Sequence, residues 1–389
     1  MKNCKYHLLF ESLNQNTKKY LKKTETDILI IGGGIAGCIA AILLSKFYKV
    51  TLIDKMAEPK ERIGESLAPA AQRILKQLDL LEGMDAIENS IYIKNMGMQS
   101  YWGSEQVQVN DHLRNPDGFS RSLDRKAFEV YLRVSSKKRG VNCNWSCKLL
   151  RSNYENNKWI ITTSADDKEQ NYTAKFVIDA SGRQSHFARS IGIKRQAIDQ
   201  LMACWVTLPN QNENTMSTIA ASKNGWWYSA VIPGNKRVVA FQTDSDLVEP
   251  SAFKSIDSFI ELANENAVIS KLLEQNKDKI TLQGTVAANS TKLDQVAGQQ
   301  WAAIGDAAVS FDPLSSQGMF NAMASAMQLS ELIVQSDGIN HLNEINLNQI
   351  STTYQQQINS VWTHYLKHKD LFYNMEKRWK DEEFWKRRG

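Results

Sequence analysis

At 389 residues the chain exceeds the size at which one hydrophobic core usually stops growing, which predicts two interlocked domains. Hydrophobic residues make up 42% and charged residues 23%, the composition of a soluble globular protein and outside the disordered and membrane classes. The net charge of +5 is modest and collects at the two ends, in Lys18 to Lys23 and Lys377 to Arg388, so no basic stripe for a nucleic acid is expected.

The first segment, Met1 to Asp27, is rich in Lys and Asn and lacks the apolar core of a secretory signal, which makes a cytoplasmic location the default. The longest apolar stretch, Ile28 to Leu44, is too short to span a bilayer and carries a turn in its middle. Five cysteines (Cys4, Cys38, Cys143, Cys147 and Cys204) form an odd, scattered set without zinc or redox spacing, so free thiols and no metal are expected.

Residues 27–31 are a β-branched apolar run that enters Gly32-Gly33-Gly34-Ile35-Ala36-Gly37 and then a helix-like stretch, Cys38 to Phe47. A second short strand, Val50 to Ile53, ends on Asp54, about twenty residues past the first glycine. This is a β-α-β nucleotide-binding pattern. Gly32 permits a tight turn, Gly34 lets the backbone approach a pyrophosphate, and Gly37 lets helix and strand pack closely. Ile35 and Ala36 open the helix whose N-terminus attracts phosphates. Asp54, followed by Lys55, is placed to accept hydrogen bonds from the ribose.

The middle of the chain alternates short strands with turns: Trp159 to Thr163, Ala203 to Leu208, Trp226 to Ile232 and Val238 to Gln242. These predict an antiparallel sheet. Between them, Phe176 to Asp179 is a buried strand running into the small-residue turn Ala180-Ser181-Gly182. Later, Trp301 to Gly305 is another buried strand ending on Asp306, followed by a loop and a helical stretch, Met319 to Val334. The nucleotide fold is therefore resumed late in the chain, with the sheet inserted within it. The expected division is a tail (1–26), cofactor-domain parts (27–105, 171–198 and 291–345), a connecting helix and strands (106–170), a substrate-domain sheet (199–290) and a helical C-terminal segment (346–389).

Three separated motifs, Gly32 to Gly37 with Asp54, Asp179-Ala180-Ser181-Gly182, and Gly305-Asp306, together resemble the FAD-dependent aromatic hydroxylase superfamily. The resemblance implies an α/β fold: a Rossmann-like FAD-binding domain, an inserted antiparallel β-sheet substrate domain and a helical C-terminus. It implies that Asp306 contacts the ribityl chain of FAD and that Arg125, in Leu123 to Phe128, lies against the cofactor. As a residue alone, Arg125 also fits a surface helix cation.

Gly64-Glu65-Ser66-Leu67-Ala68-Pro69 and Asp312-Pro313-Leu314-Ser315-Ser316-Gln317-Gly318 resemble the flavin-dependent tryptophan halogenase branch. Trp102-Gly103-Ser104, Gly225 to Pro233, and the pairs Arg378-Trp379 and Phe384-Trp385 are similar to the flavoproteins that mature tryptophylquinone enzymes. That resemblance implies a monooxygenase that hydroxylates a tryptophan in a quinone-cofactor oxidase precursor. It places the loop of Gly64, Glu65 and Ser66 along the cofactor. The amides around Gln317, Gly318 and Met319, after Pro313, begin a helix suited to negative charge on the flavin.

Two departures from the halogenase pattern stand out. The Gly-Trp-x-Trp-x-Ile-Pro signature is stretched here to Gly225-Trp226-Trp227-Tyr228 with Ile232-Pro233, and the glutamate after Asp-Pro-Leu is replaced by Ser315. Lys94, eight residues before Trp102, stands near the halogenase lysine in sequence and equally fits a solvated strand lysine. Glu65, Lys94, Trp227 and Tyr228 are therefore the candidate catalytic groups, with Trp102 and Trp226 as cavity wall or sheet core. A flavin-dependent halogenase or small-molecule hydroxylase stays open as the alternative, as does a non-catalytic flavin-bound chaperone. With no second GxGxxG, electrons come from transiently bound NAD(P)H or from a separate flavin reductase.

Overall fold

The computed structural model describes residues 23–87, 91–165, 168–337, 339 and 344–389; Cys4 and the basic run from Lys18 to Lys22 lie outside them. Strand β1 (Lys23–Ile31) carries four consecutive isoleucine and leucine side chains, Ile28 to Ile31, all at most 5% exposed. Such a run belongs in the middle of a sheet covered on both faces. It leads through the glycine turn into α1 (Ile35–Leu44) and β2 (Val50–Ile53), the latter pairing parallel to β1. Helix α1 is apolar nearly all round, as a helix covered on every side must be.

A small antiparallel sheet follows, β3 (Ser66–Leu67), β4 (Tyr92–Asn95) and β5 (Ser120–Leu123), with β5 in the centre. It delivers the chain to α2 (Arg125–Lys138), capped at its start by the Asp124 carboxylate, which accepts from the Ala127 amide. Strand β6 (Lys158–Ala165) pairs antiparallel with the first half of β7 (Lys168–Asp179), and β7 pairs parallel with β1 from Asn171 to Asp179. The expectation that Trp159 to Thr163 belongs to the same antiparallel sheet as the later strands is thus corrected. Its pairing edge is the long strand β7, so it extends the cofactor sheet.

The inserted sheet holds β8 (Leu201–Pro209), β9 (Ser217–Ser222), β10 (Gly225–Ile232) and β11 (Lys236–Asp244). These pair antiparallel, and β9 adds one parallel partner, Gly97–Tyr101. Helices α3 (Ile256–Ala263) and α4 (Ala267–Glu274) lie on one face, over Trp227, Val239 and Phe241. Strand β12 (Trp301–Ala303) returns to the first sheet beside β7, and α5 (Gly318–Gln335), α6 (Glu344–Asn374) and α7 (Glu383–Lys386) complete the chain. No described helix is long and apolar enough to cross a membrane.

Candidate functional site

The glycine turn is built by close contacts. A Cβ on Gly32 would lie 2.2 Å from the Ala180 carbonyl oxygen, and one on Gly37 would lie 1.9 Å from the Gly32 carbonyl oxygen. Gly32 also has φ +116°, a conformation that favours glycine. At Gly34 the same test meets nothing within 4 Å. The protein does not require a small residue there, so the space is available to a ligand. Gly34 is the N-cap of α1, with no side-chain cap and no acidic residue in the first turn, which leaves the first amides turned toward that space. Ile35 and Ala36 are buried just behind it.

Asp54 is more occupied than a free ribose acceptor would be. Its carboxylate accepts from the Gly33 amide at 2.6 Å and the Met56 amide at 2.7 Å, and pairs with Arg133 at 3.2 Å. A carboxylate has about four acceptor positions, so roughly one remains for a ribose hydroxyl. Arg133, on α2, also donates to the carbonyls of Gly33, Met56 and Ala57 and stacks 4.2 Å over Trp145. It locks the acid to the turn, and no sequence motif marks it. Lys55 is exposed and its Nζ stands 3.3 Å from His186 Nε2.

The turn after β7 is organised from within. Asp179 is fully buried; its carboxylate accepts from the Ser181 amide and hydroxyl and from the Ala188 amide. Burial pushes its carboxyl above the ordinary value. The Asp179 oxygens shape the turn, and Gly182, at φ +71° with open space around its Cα, is the part that faces outward.

Gly305 sits where α1 and α5 approach each other, its hypothetical Cβ 2.9 Å from Ala36 and 3.3 Å from Ala322. Asp306 follows, its side chain 41% exposed and 3.7 Å from Arg183. Arg195 holds this turn, donating to Ser185 and Ser310 hydroxyls, to Thr291 and to the carbonyls of Asp306 and Ala307. Burial lowers its guanidinium to about 10.

Helix α5 begins at Gly318 with Gln317 as an N-cap that makes no side-chain hydrogen bond, and its first turn holds no acid. Gln317 and Gly318 are exposed, Met319 is buried, and a Cβ on Gly318 would meet nothing. Gly305, packed between Ala36 of α1 and Ala322 of α5, thus brings the uncapped starts of these two helices close together. Both are electropositive and open, which suits a dinucleotide with a pyrophosphate at one end and an electron-rich ring at the other. The loop between, from exposed Pro313 to Ser316, is pinned by Asp312, whose carboxylate accepts from the Leu314 amide and, at 2.7 Å, from Tyr373. A cavity of about 280 Å³ beside the start of α5 is lined by Gln317, Asn321, His364 and Tyr365.

Glu65 is only 2% exposed. Its Oε2 accepts from the Gly64 amide at 3.0 Å, while Oε1 has no hydrogen-bond partner among the described residues. The hydroxyl of Tyr228 is buried as well and faces the Glu65 carboxylate. Burial, and after it the charge of Glu65, holds the Tyr228 phenol well above its ordinary value. Arg125 opens α2 beside this pair, donating to the Gly64 carbonyl at 2.7 Å and to Glu129 at 2.8 Å. Its side chain is 12% exposed, its Nε has no acceptor, and it is near enough to Asp306 for their charges to interact. It is not a surface cation. Ser66 is half-buried next to Glu65. A guanidinium N–H without an acceptor, beside a buried carboxylate and phenol that face each other, fits a polar cofactor lying along this loop.

The other candidates separate. Successive strand residues point to opposite faces. Trp226 and Tyr228 therefore join Trp102 on one side of β10, and Trp227 goes to the other, fully buried against Phe241 at 4.6 Å and Phe259 at 5.3 Å. Trp227 is corrected from site residue to core residue. Lys94 is exposed on β4, opposite Arg121 of β5.

Residues 25–338 match the family described as an FAD binding domain. A Marinomonas mediterranea protein named putative FAD-dependent oxidoreductase LodB is 27% identical over 367 residues, covering 93% of this chain and 96% of its own. The tryptophan 2-halogenase of Chondromyces crocatus is 26% identical over 326 residues, 78% of this chain and 60% of its own. Among solved structures, the flavin-dependent halogenase CmlS shares the fold with a TM-score of 0.76, at 23% identity, over 94% of this chain and 68% of that one. The peptidyl tryptophan dihydroxylase QhpG, essential for tryptophylquinone cofactor biogenesis, does so with a TM-score of 0.74, at 20% identity, over 94% and 79%.

Proposed function

The chain belongs to the FAD-binding-domain family and is an FAD-dependent oxidoreductase; from that premise we propose that it is a monooxygenase hydroxylating a tryptophan side chain in a partner protein or peptide during tryptophylquinone maturation. The observation that carries this reading is the Glu65 carboxylate facing the buried Tyr228 hydroxyl where Arg125 and the Gly64 turn meet. Reduced flavin, when bound, supplies oxygen in a form electrophilic towards an electron-rich ring. Glu65 then takes or returns the proton displaced from that ring, and Tyr228, held protonated, donates a hydrogen bond. The uncapped start of α5, at Gly318 and Met319, stabilises negative charge on the flavin. The Gly34 turn, the last acceptor position of Asp54, and Asp306 hold the rest of the cofactor.

Hydroxylation is favoured over halogenation by position 315. Its hydroxyl donates to the Asp312 carbonyl at 3.0 Å, so a short loop-bound side chain stands where the halogenase pattern has a glutamate. Lys94 is exposed on its strand. The full-length similarity to LodB and the shared fold with QhpG support a protein or peptide substrate. Electrons come from NAD(P)H bound transiently or from a separate reductase. A cytoplasmic setting accords with the four free cysteines among the described residues.

The test is to supply reductant, oxygen and a tryptophan-containing peptide from a quinone-cofactor precursor in abundant bromide. Addition of oxygen to tryptophan is the expected mass change. Brominated product that disappears in Lys94→Ala would overturn the reading in favour of a halogenase.

A further inference from the structure

The face of the inserted sheet opposite Tyr228 carries a second built site. Ser229 lies on that face with Trp227, and Arg237 of β11 joins it, opposite Val231. Arg237 is only 5% exposed. It donates from Nε to Asn210 at 3.2 Å, from one terminal nitrogen to the Ser229 hydroxyl at 3.1 Å, and from the other to the Asn214 carbonyl at 3.4 Å. All three acceptors are neutral, and among the described residues no carboxylate pairs with it; Glu213, on the neighbouring loop, is exposed. A guanidinium has five N–H groups, so about two remain unused. A buried charge without a counter-charge is costly, because the solvation it loses is not replaced.

That cation lines a cavity of about 350 Å³ between the sheet and α4, which Lys271 of α4 also lines. Asn276, also lining it, is 3% exposed; its amide nitrogen donates to Leu272 at 3.0 Å while its Oδ1 accepts from nothing. The cavity therefore presents unused N–H groups of a buried cation, a second cation, and one buried acceptor in need of a donor. Its volume is that of a small-molecule site.

We propose that this cavity binds an α-hydroxy or α-amino carboxylate, the carboxylate facing Arg237 and Lys271 and the hydroxyl or ammonium facing Asn276 Oδ1. The planar fork of arginine matches a carboxylate. The ligand is a free acid of this kind or the carboxyl end of a peptide, whose last amide N–H takes the place of the hydroxyl or ammonium. The site lies on the opposite face of the sheet from the Tyr228 side chain, and the inference does not depend on the reaction assigned there.

The full-length, flavin-loaded protein is titrated with L-malate, with acetate, and with chloride at equal ionic strength, by thermal shift and calorimetry. Saturable stabilisation by malate, exceeding that by acetate and absent with chloride, is expected. Lys271→Ala should weaken malate binding roughly threefold, the scale of an exposed ion pair. Ser229→Asp, which places a carboxylate beside Arg237, should abolish the response while FAD content stays constant. Competition by a short peptide with a free C-terminal carboxylate, but not by its amide, assigns the site to a chain end; no competition assigns it to the free acid. A native protein that responds to malate no more than to chloride, or an unchanged response in Lys271→Ala, overturns the proposal.

Discussion

A Cβ on Gly37 would collide with the Gly32 carbonyl, whereas one on Gly34, three residues earlier in the same turn, would meet nothing. The first glycine is demanded by packing and the second only by a ligand. Gly34 is at φ −85°, which any residue adopts, so Gly34→Val should fold normally and lose most of its FAD. Flavin absorbance per protein, measured beside circular dichroism, checks this; a folded variant with full flavin content contradicts the assignment. At the flavin end, Glu65→Gln keeps the shape of the side chain and removes its charge. Oxygenated product should form about a hundredfold more slowly, the lower range for losing a proton-transfer group, with FAD retained. Relief of the neighbouring charge should also bring the Tyr228 phenol back towards its ordinary value, readable by ultraviolet pH titration. Lys94→Ala should leave the rate nearly unchanged.

Among the elements, the C-terminal segment is helical as expected, and its rings turn inwards: Phe384 and Trp385 are buried, and Trp102 meets Trp226, Tyr373 and Trp385 edge-on. The indole of Trp385 donates to the Ser222 and Lys223 carbonyls at the end of β9. Arg388 closes the clasp against Asp244, both 2% exposed, and covers the Phe384 ring at 3.8 Å. Removing one partner of such a pair strands the other charge, so Arg388→Ala should cost about 3–5 kcal/mol in denaturant unfolding. Because Tyr373 of the same segment bonds Asp312 in the loop before α5, the loss should extend to weaker FAD retention. Truncation after Lys369 removes the whole clasp, and aggregation rather than mere loss of partner binding is the expected result.

On the scale of the whole molecule, the proposed cofactor groove draws on the glycine turn near residue 34, the loop at 64–66, the start of α2, the turn at 182 and the 305–319 segment. A ligand that touches all of these holds together parts contributed by distant stretches of chain, and it stabilises only the folded state. Native protein should therefore melt higher as FAD is added, with about 2.7 kcal/mol of stabilisation at one hundred times the dissociation constant. Flavin-stripped protein, scanned calorimetrically across FAD concentrations, tests this; a melting temperature independent of FAD would contradict the groove. In Gly34→Val the dependence should vanish while the flavin-free melting point stays near that of the native protein.

The sequence by itself determined the parts of this protein that are local. The β1 run, the three glycines, the acid at the end of β2 and the helix start at Gly318 are spaced along a few residues each, and hydrogen bonding and backbone sterics act at that range. The family resemblance added FAD, Arg125 and the Gly64 loop, which no periodicity announces. Tertiary structure alone decided which face each residue served. Trp227 and Tyr228 are neighbours in sequence but part company because α3 and α4 cover one face of β10 and the Glu65 loop lies towards the other. Strand β6 joined the cofactor sheet because β7 offered its edge, Asp179 turned inward because Ser181 and Ala188 brought amides to it, and Arg133, Arg195 and Arg237 acquired their roles from partners up to about a hundred residues away. Each of these outcomes depends on which surface arrives to cover a side chain, and that is a property of the packed molecule.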